Sequence, residues 1–464
     1  MFSTETYIQR RQQLQQNLQS GIVLLLGNED SPMNYLDNAY PFRQDSTFLY
    51  YFGLELHHLA AIIDLDENTS TIFGDELSID YIVWMGAQPT IAELAAKVGV
   101  TKTQPYDKIA EVLQSAHARG RTIHFLPPYR AENSIKLSQW LDIPIGELQN
   151  RVSVDLIKAV VSQRSIKSTE EVQEIEKAVN ITKTMHRTVM QRAEEGMKEV
   201  ELRGVLEGIA ISHGGYPAYS TILTVNGQTL HNHFYGNTLQ SGQLLLGDFG
   251  AATARHYCGD ITRTSPVDKT FTTKQKDIYN LVLQAELKGI ELVQPGVRYL
   301  DVHLEVARLI AEGLKALGLM QGDVNEAVAQ GAHALFFPHG LGHMLGLDVH
   351  DMEDLGENYV GYEDGMERSK QFGLKSLRLA RTLHSGFTLT VEPGIYFIPQ
   401  LIDLWQSEGK YKDFINYDKV NEYRDFGGIR IEDNVVVTQN GCRVLGDLIS
   451  KTVEDVEAIR NGYL

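Results

Sequence analysis

The chain opens on a polar, Gln-rich stretch, residues 4–19, where Tyr7, Leu14 and Leu18 fall near helical spacing and predict a helix. Gly21 ends that pattern, and Ile22–Leu26 is an apolar run of buried-strand length. Residues 40–53 are dense in aromatics, and Ala60–Asp64 and residues 80–84 (Asp-Tyr-Ile-Val-Trp) are further strand candidates. Amphipathic helices are predicted over residues 91–98 and 106–116. Strands alternating with helices predict a smaller N-terminal α/β domain over residues 1–157.

A polar, serine-rich stretch at 161–168 marks a boundary, so a second domain is expected over residues 158–464. Ser168-Thr-Glu-Glu171 has the spacing of a helix capping box. Val172, Ile175, Val179, Met185 and Val189 then recur at helical spacing, and a second helix is predicted over 198–212, before Gly214-Gly215. Short strands are expected at 219–225 and 243–248. Residues 259–266 alternate, with Asp260, Thr262 and Thr264 on one face. Thr272-x-x-Gln275 caps a helix running to Val293, and another helix covers 299–317. Later strands are expected at 388–397 and 428–437. Helices around strand pairs predict an α+β arrangement. The polar stretch 353–375 has no clear period and reads equally as a disordered insertion or a lid.

Composition narrows the class. A chain of 464 residues exceeds one ordinary core. Hydrophobic and charged contents of 43% and 22% are those of a soluble globular protein. The formal net charge of -18 argues against nucleic acid or an anionic membrane as partner. Cys258 and Cys442 imply neither a disulfide framework nor a thiolate zinc site. The N-terminus lacks the apolar core of a signal peptide, and no apolar run approaches a membrane span, which predicts a cytoplasmic protein.

The candidate chemistry centres on residues 337–351, where His339, His343 and His350 lie among small and apolar residues. Gly340, Gly342 and Gly346 permit close approach of backbone, and neutral imidazole is a common metal ligand. Four strand segments carry acids that a plain sheet would not choose: Asp248 after Leu244-Leu-Leu, Asp260 twelve residues on, Glu392 before Pro393-Gly394, and Glu432 in Gly427-Gly-Ile-Arg-Ile-Glu-Asp433. Buried carboxylates need cations. Each acid alone reads equally as a strand-end salt bridge. Four of them with His343 form a donor set for two divalent metal ions, with hard oxygen donors favouring manganese, and cobalt or iron as alternatives, over a thiolate-type zinc site.

Asp248, Gly-Asp260-Ile-Thr-Arg, His339-Gly-Leu-Gly-His343, Thr-Val-Glu392-Pro-Gly and Gly-Ile-Arg430-Ile-Glu432-Asp together resemble the creatinase/methionine-aminopeptidase superfamily. The resemblance is closest to its proline-specific branch of prolidases and aminopeptidases P, and Tyr40-Pro-Phe-Arg-Gln-Asp-Ser extends it to the N-terminal part. It implies a C-terminal pita-bread domain and a metallopeptidase acting on Xaa-Pro peptide bonds. It further implies that Asp248 holds the second metal, that Asp260 and Glu432 bridge both, and that His343 and Glu392 complete the first. Glu392 would serve as general base, and His231 and His350 would contact the substrate and the tetrahedral intermediate. His339 would support the site, Arg430 would orient Glu432, and Tyr219 fits a site position or a core one equally. His233 rivals His231, because the chain has Leu230-His-Asn-His233 where the family shows one histidine. Cys258 shares the face of Asp260 and is expected to be a packed free thiol. In prolidases a stretch like Leu377-Arg-Leu-Ala-Arg381 supplies a carboxylate clamp, which Arg378 matches. This favours a dipeptidase over an aminopeptidase for longer peptides. A homo-oligomer, by default a dimer, is implied too. A catalytically inert relative would be expected to lack ligands, and a creatine-type amidinohydrolase needs no metal cluster; the intact acids disfavour both.

Overall fold

The computed structural model describes residues 1–463, which form two compact units. One comprises Met1–Arg164 with Glu353–Tyr359, the other Ser165–Met352 with Val360–Leu464. The division falls at the last turn of the helix Val154–Ser165.

The first unit is built on a five-stranded mixed sheet in the order Lys102–Gln104, Thr69–Phe73, Ala60–Asp64, Ile22–Leu26, Ile123–His124. The apolar run Ile22–Leu26 pairs antiparallel with Ala60–Asp64 and parallel with Ile123–His124. Ile22, Leu24, Ile62 and Phe73 meet Ile109, Leu113 and Leu137 from two helices in one buried cluster. Residues 80–84, expected as a strand, belong instead to the helix Ile79–Met85. Ser78 caps it by accepting from the Tyr81 N–H, and Gly86 ends it at φ 80. None of the helix is buried, so capping rather than sheet packing decides its conformation.

In the second unit the Ser168/Glu171 capping box is formed and opens the helix Thr169–Arg192, which buries Ile175, Val179, Met185 and Val189. The Thr272/Gln275 box likewise opens Thr273–Leu292, which packs on Tyr299–Ala316. Leu244–Phe249 lies between Ile261–Pro266 and Ile222–Thr224, so the strand expected at 219–225 is shorter and leaves Tyr219 outside it. The strands expected at 388–397 and 428–437 are each split in two. Thr388–Val391 pairs with Asp433–Val437, while Gly394–Tyr396 pairs with Gly428–Arg430 in a different sheet. Pro393 lacks the N–H a continuous ladder would need. The stretch 353–375 is neither periodic nor disordered. It carries short helical turns, and Tyr362 packs with Leu377 and Ala380 and donates to the Leu377 carbonyl at 2.8 Å. No helix among the described residues is long and apolar enough to cross a membrane.

His303, on Tyr299–Ala316, and His333 are buried, and none of their ring nitrogens meets a hydrogen-bonding protein group among the described residues. Burial lowers them to about 3 and about 4 respectively. Below the ordinary imidazole pKa of about 6.5 the unfolded chain binds protons that these folded rings refuse, so acid destabilises the fold by roughly 2 kcal/mol per ring at about pH 5. We expect the unfolding temperature of chelator-treated protein to fall from about pH 7.5 to about pH 5, and His303→Leu to make that fall shallower. An unchanged slope in calorimetry would place the acid sensitivity elsewhere.

Candidate metal centre

The two strand breaks bring their acids together. Val391 pairs with Asp433 and Gly394 with Arg430, so Glu392-Pro393 lies opposite Ile431-Glu432. The backbone groups released from the ladders are reassigned. Glu392 N–H donates to the Leu341 carbonyl, Ile431 N–H to that of Pro393, and Glu432 N–H to that of Thr262. Thr262 pairs with Asp248 in the neighbouring hairpin, and Asp260 lies just beyond that hairpin's paired residues. Asn434 grips the backbone of Asp260 from both sides, its amide oxygen accepting from the N–H and its amide nitrogen donating to the carbonyl.

His343 is held by strand-like pairing with the same edge. Thr390 N–H donates to the His343 carbonyl at 3.0 Å, and His343 N–H donates to Thr390 Oγ1 at 3.1 Å. A Cβ on Gly342 would lie 2.0 Å from the Thr390 carbonyl oxygen, so only glycine allows this approach.

Side-chain geometry makes one buried acidic nest. His343 Nδ1 lies 3.0 Å from the Met344 carbonyl, which assigns its proton to that nitrogen. Its Nε2 then faces Asp260 Oδ2 at 3.2 Å and Glu392 Oε1 at 3.5 Å. A nitrogen lone pair aimed at two carboxylates requires a proton or a cation between them. Ligand atoms of Asp260, His343 and Glu432 all lie within 4.8 Å of one another. Glu432 Oε2 accepts from Thr262 Oγ1 at 2.7 Å, while its buried Oε1 meets no protein donor among the described residues. The Tyr219 hydroxyl lies within hydrogen-bond reach of both Asp248 and Asp260.

Arginine relieves part of this charge. Buried Arg430 donates to Asp248 through Nη2, to Tyr396 Oη at 2.8 Å through Nη1, and to Thr262 Oγ1 at 3.1 Å through Nε. Tyr396 Oη is also 2.8 Å from His339 Nε2, and His339 Nδ1 is 2.8 Å from the Gly340 carbonyl. With Nδ1 protonated, the chain runs one way: Arg430 donates to Tyr396, which donates to neutral His339. Burial, then the charge of Arg430, lowers His339 to about 3.

The carboxyl groups respond to crowding. Burial and then the charges of Asp260, Glu392 and Asp248 hold Glu432 well above the carboxylate range. Burial raises Glu392 to about 7 against the opposing charges of His343 and Arg430. Burial also pushes Asp260 upward, but its hydrogen bond and charge interaction with His343 outweigh this and leave it lowered. The same contacts outweigh burial at His343 and raise it. Among the described residues four carboxylates thus face one arginine, an excess of negative charge that divalent cations would offset.

The flanking residues are also located. The His350 ring is edge-on to His343 with centroids 4.4 Å apart. His231 is solvent-exposed on one side. Desolvation lowers it, Asp248 opposes, and Arg430, His233 and Arg378 add to the lowering. It therefore lies within electrostatic reach of Asp248 and Arg430 in the nest, and of Arg378. His233 is exposed, and Cys258 is a buried free thiol that donates towards the His256 carbonyl. Thr390, Tyr396 and Asn434 were not singled out from the sequence as site residues. Only the alternation that marked Thr262 gave any signal for such supporting groups.

Residues 173–439 match the model of metallopeptidase family M24, and residues 7–124 match that of the aminopeptidase P N-terminal domain. The chain is similar to the Xaa-Pro dipeptidase of Homo sapiens, at 34% identity over 95% of this chain and 89% of that protein. It is similar to the Xaa-Pro aminopeptidase of Escherichia coli (strain K12), at 32% identity over 98% of each. Among solved structures it resembles a variant of E. coli aminopeptidase P in complex with substrate, with a TM-score of 0.82 and 30% identity over 100% of this chain and 99% of the other. The pita-bread fold with an N-terminal domain is therefore the fold observed.

We expect Glu432→Gln and Asp260→Asn each to lower the divalent metal bound per chain, measured by elemental analysis after dialysis. Glu432→Gln removes a charge disfavoured by burial and by neighbouring acids, so its metal-free form should be at least as heat-stable as the parent. Full metal occupancy in either variant would remove that residue from the donor set.

Proposed function

Because the chain belongs to metallopeptidase family M24, we propose that it hydrolyses the Xaa-Pro bond with two divalent metal ions, and that it does so as an Xaa-Pro dipeptidase. Its similarity to the dipeptidase and the aminopeptidase together makes it a metallopeptidase acting on Xaa-Pro peptides. The observation that carries the metal reading is His343 Nε2 aimed at Asp260 and Glu392 beside a Glu432 oxygen that meets no protein donor among the described residues.

Asp248, Asp260, His343, Glu392 and Glu432 would hold the ions, Asp260 and Glu432 serving both. Oxygen-rich donors favour manganese. When bound, the ions supply Lewis acidity to the scissile carbonyl and lower the pKa of the attacking water. Glu392 takes the proton of that water and returns it to the proline nitrogen as the C–N bond breaks. His350 and His231 donate to the oxygen that gains negative charge. Neutral His339, locked by Tyr396, supports the wall beside them, and Arg430 fixes Asp248 and Thr262, through which it orients Glu432. Tyr219 bridges Asp248 and Asp260. The expected homodimer rests on the family resemblance.

Arg378 separates the two activities. A dipeptidase must bind the free carboxylate of a C-terminal proline close to the scissile bond, and a guanidinium does so with two hydrogen bonds. The charge of Arg378 acts on His231, which supports this reading. The second reading, an Xaa-Pro aminopeptidase, is favoured by the end-to-end match to the E. coli enzyme.

We expect Xaa-Pro dipeptides to be cleaved well above Xaa-Pro-Yaa tripeptides, and Arg378→Ala to raise KM for dipeptides much more than for dipeptide amides. A wild-type preference for tripeptides would hand the assignment to the aminopeptidase. His350→Ala should keep its metal while kcat falls by about 10²- to 10³-fold; loss of metal would make His350 a ligand.

A further inference from the structure

Lys167 lies just before the Ser168 cap, and its N–H donates to the Gly386 carbonyl at 2.9 Å. Its ammonium is 2.8 Å from Asp351 Oδ2, and both side chains are only 1% exposed. Asp351 directly follows His350. The loop before it is wound round this carboxylate. Asp351 N–H donates to the Met344 carbonyl, Gly346 N–H donates to that of Asp348, and Cys258 N–H donates to that of Gly346. A Cβ on Gly346 would sit 2.5 Å from Asp351 Oδ2, so the carboxylate presses directly on the backbone.

Stability alone does not call for such a pair. Removing two charges from water is costly, and apolar side chains of similar volume often hold a fold equally well. What an ion pair adds is a fixed distance and direction. Here it fixes the residue next to His350, whose ring is already packed edge-on to His343.

We propose that Lys167 and Asp351 are positioning residues, a buried clamp that sets the His350 ring at the reacting carbonyl. The inference rests on the reading of His350 as a group that contacts the substrate. Lys167 itself touches neither substrate nor metal ligands in this scheme.

The test uses the metal-loaded enzyme with an Xaa-Pro dipeptide. A single Lys167→Met change leaves a buried carboxylate without its ammonium and destabilises the fold, so the decisive variant is Lys167→Met with Asp351→Leu, which removes both charges of the pair. Its unfolding temperature and metal content should stay close to wild type while kcat falls roughly tenfold to hundredfold, the order expected for a misplacement near 1 Å. KM should change little. Lys167→Arg, which keeps the charge, should recover most of kcat. Added to His350→Ala, the double change should cause no further loss, because the clamp acts through that ring. Wild-type kcat in the double variant, loss of metal alongside kcat, or a fully additive loss in the His350→Ala background would each overturn the clamp. A His350→Ala enzyme with wild-type kcat overturns the reading of His350 and the clamp with it. A slow His350→Ala enzyme beside a fast double variant overturns the clamp alone.

Discussion

The second unit depends on one electrostatic constraint: four carboxylates held out of water with a single arginine to answer them. Everything near the nest can be read as a response to that excess. Arg430 takes Asp248, Thr262 takes one oxygen of Glu432, and His343 is aimed between Asp260 and Glu392. Two carboxyl groups are driven upward because protonation is the relief left to the metal-free protein. Such an arrangement is poor design for a fold and good design for cation binding.

Backbone geometry makes the crowding possible. A continuous strand through Glu392 or Glu432 would have pointed successive side chains to opposite faces. Breaking both strands at the same level lets each acid lie at a seam between two sheets, where a third hairpin supplies Asp248 and Asp260. Pro393 enforces the break on one side, and the reassigned N–H groups stabilise it on both.

Much of this was legible in the sequence, and the remainder was hidden for physical reasons. Capping boxes at Ser168 and Thr272 are local, and both formed where their spacing said. The acids were visible because glycine and proline flank them where a plain strand would not have such residues. Residues 80–84 carry β-branched and aromatic types that favour a strand, but the Ser78 cap starts a helix there. The split strands were missed because a break shows only once the partner strand is known. Lys167 and Asp351 gave no signal at all, since their pairing joins chain segments far apart in sequence. The same holds for His303 and His333, whose burial follows from helix packing rather than from any motif.

The sequence distance across the nest has a consequence for how the protein matures. Arg430 and Asp248, paired at its centre, are 182 residues apart. During synthesis the chain can complete no donor set until the Asp433–Val437 strand has left the ribosome and folded back on Thr388–Val391. Contacts of such long range form late and slowly. No single motif along the way collects enough donors to commit to an ion. A complete donor set for an ion thus exists only once these distant segments have met at the end of folding.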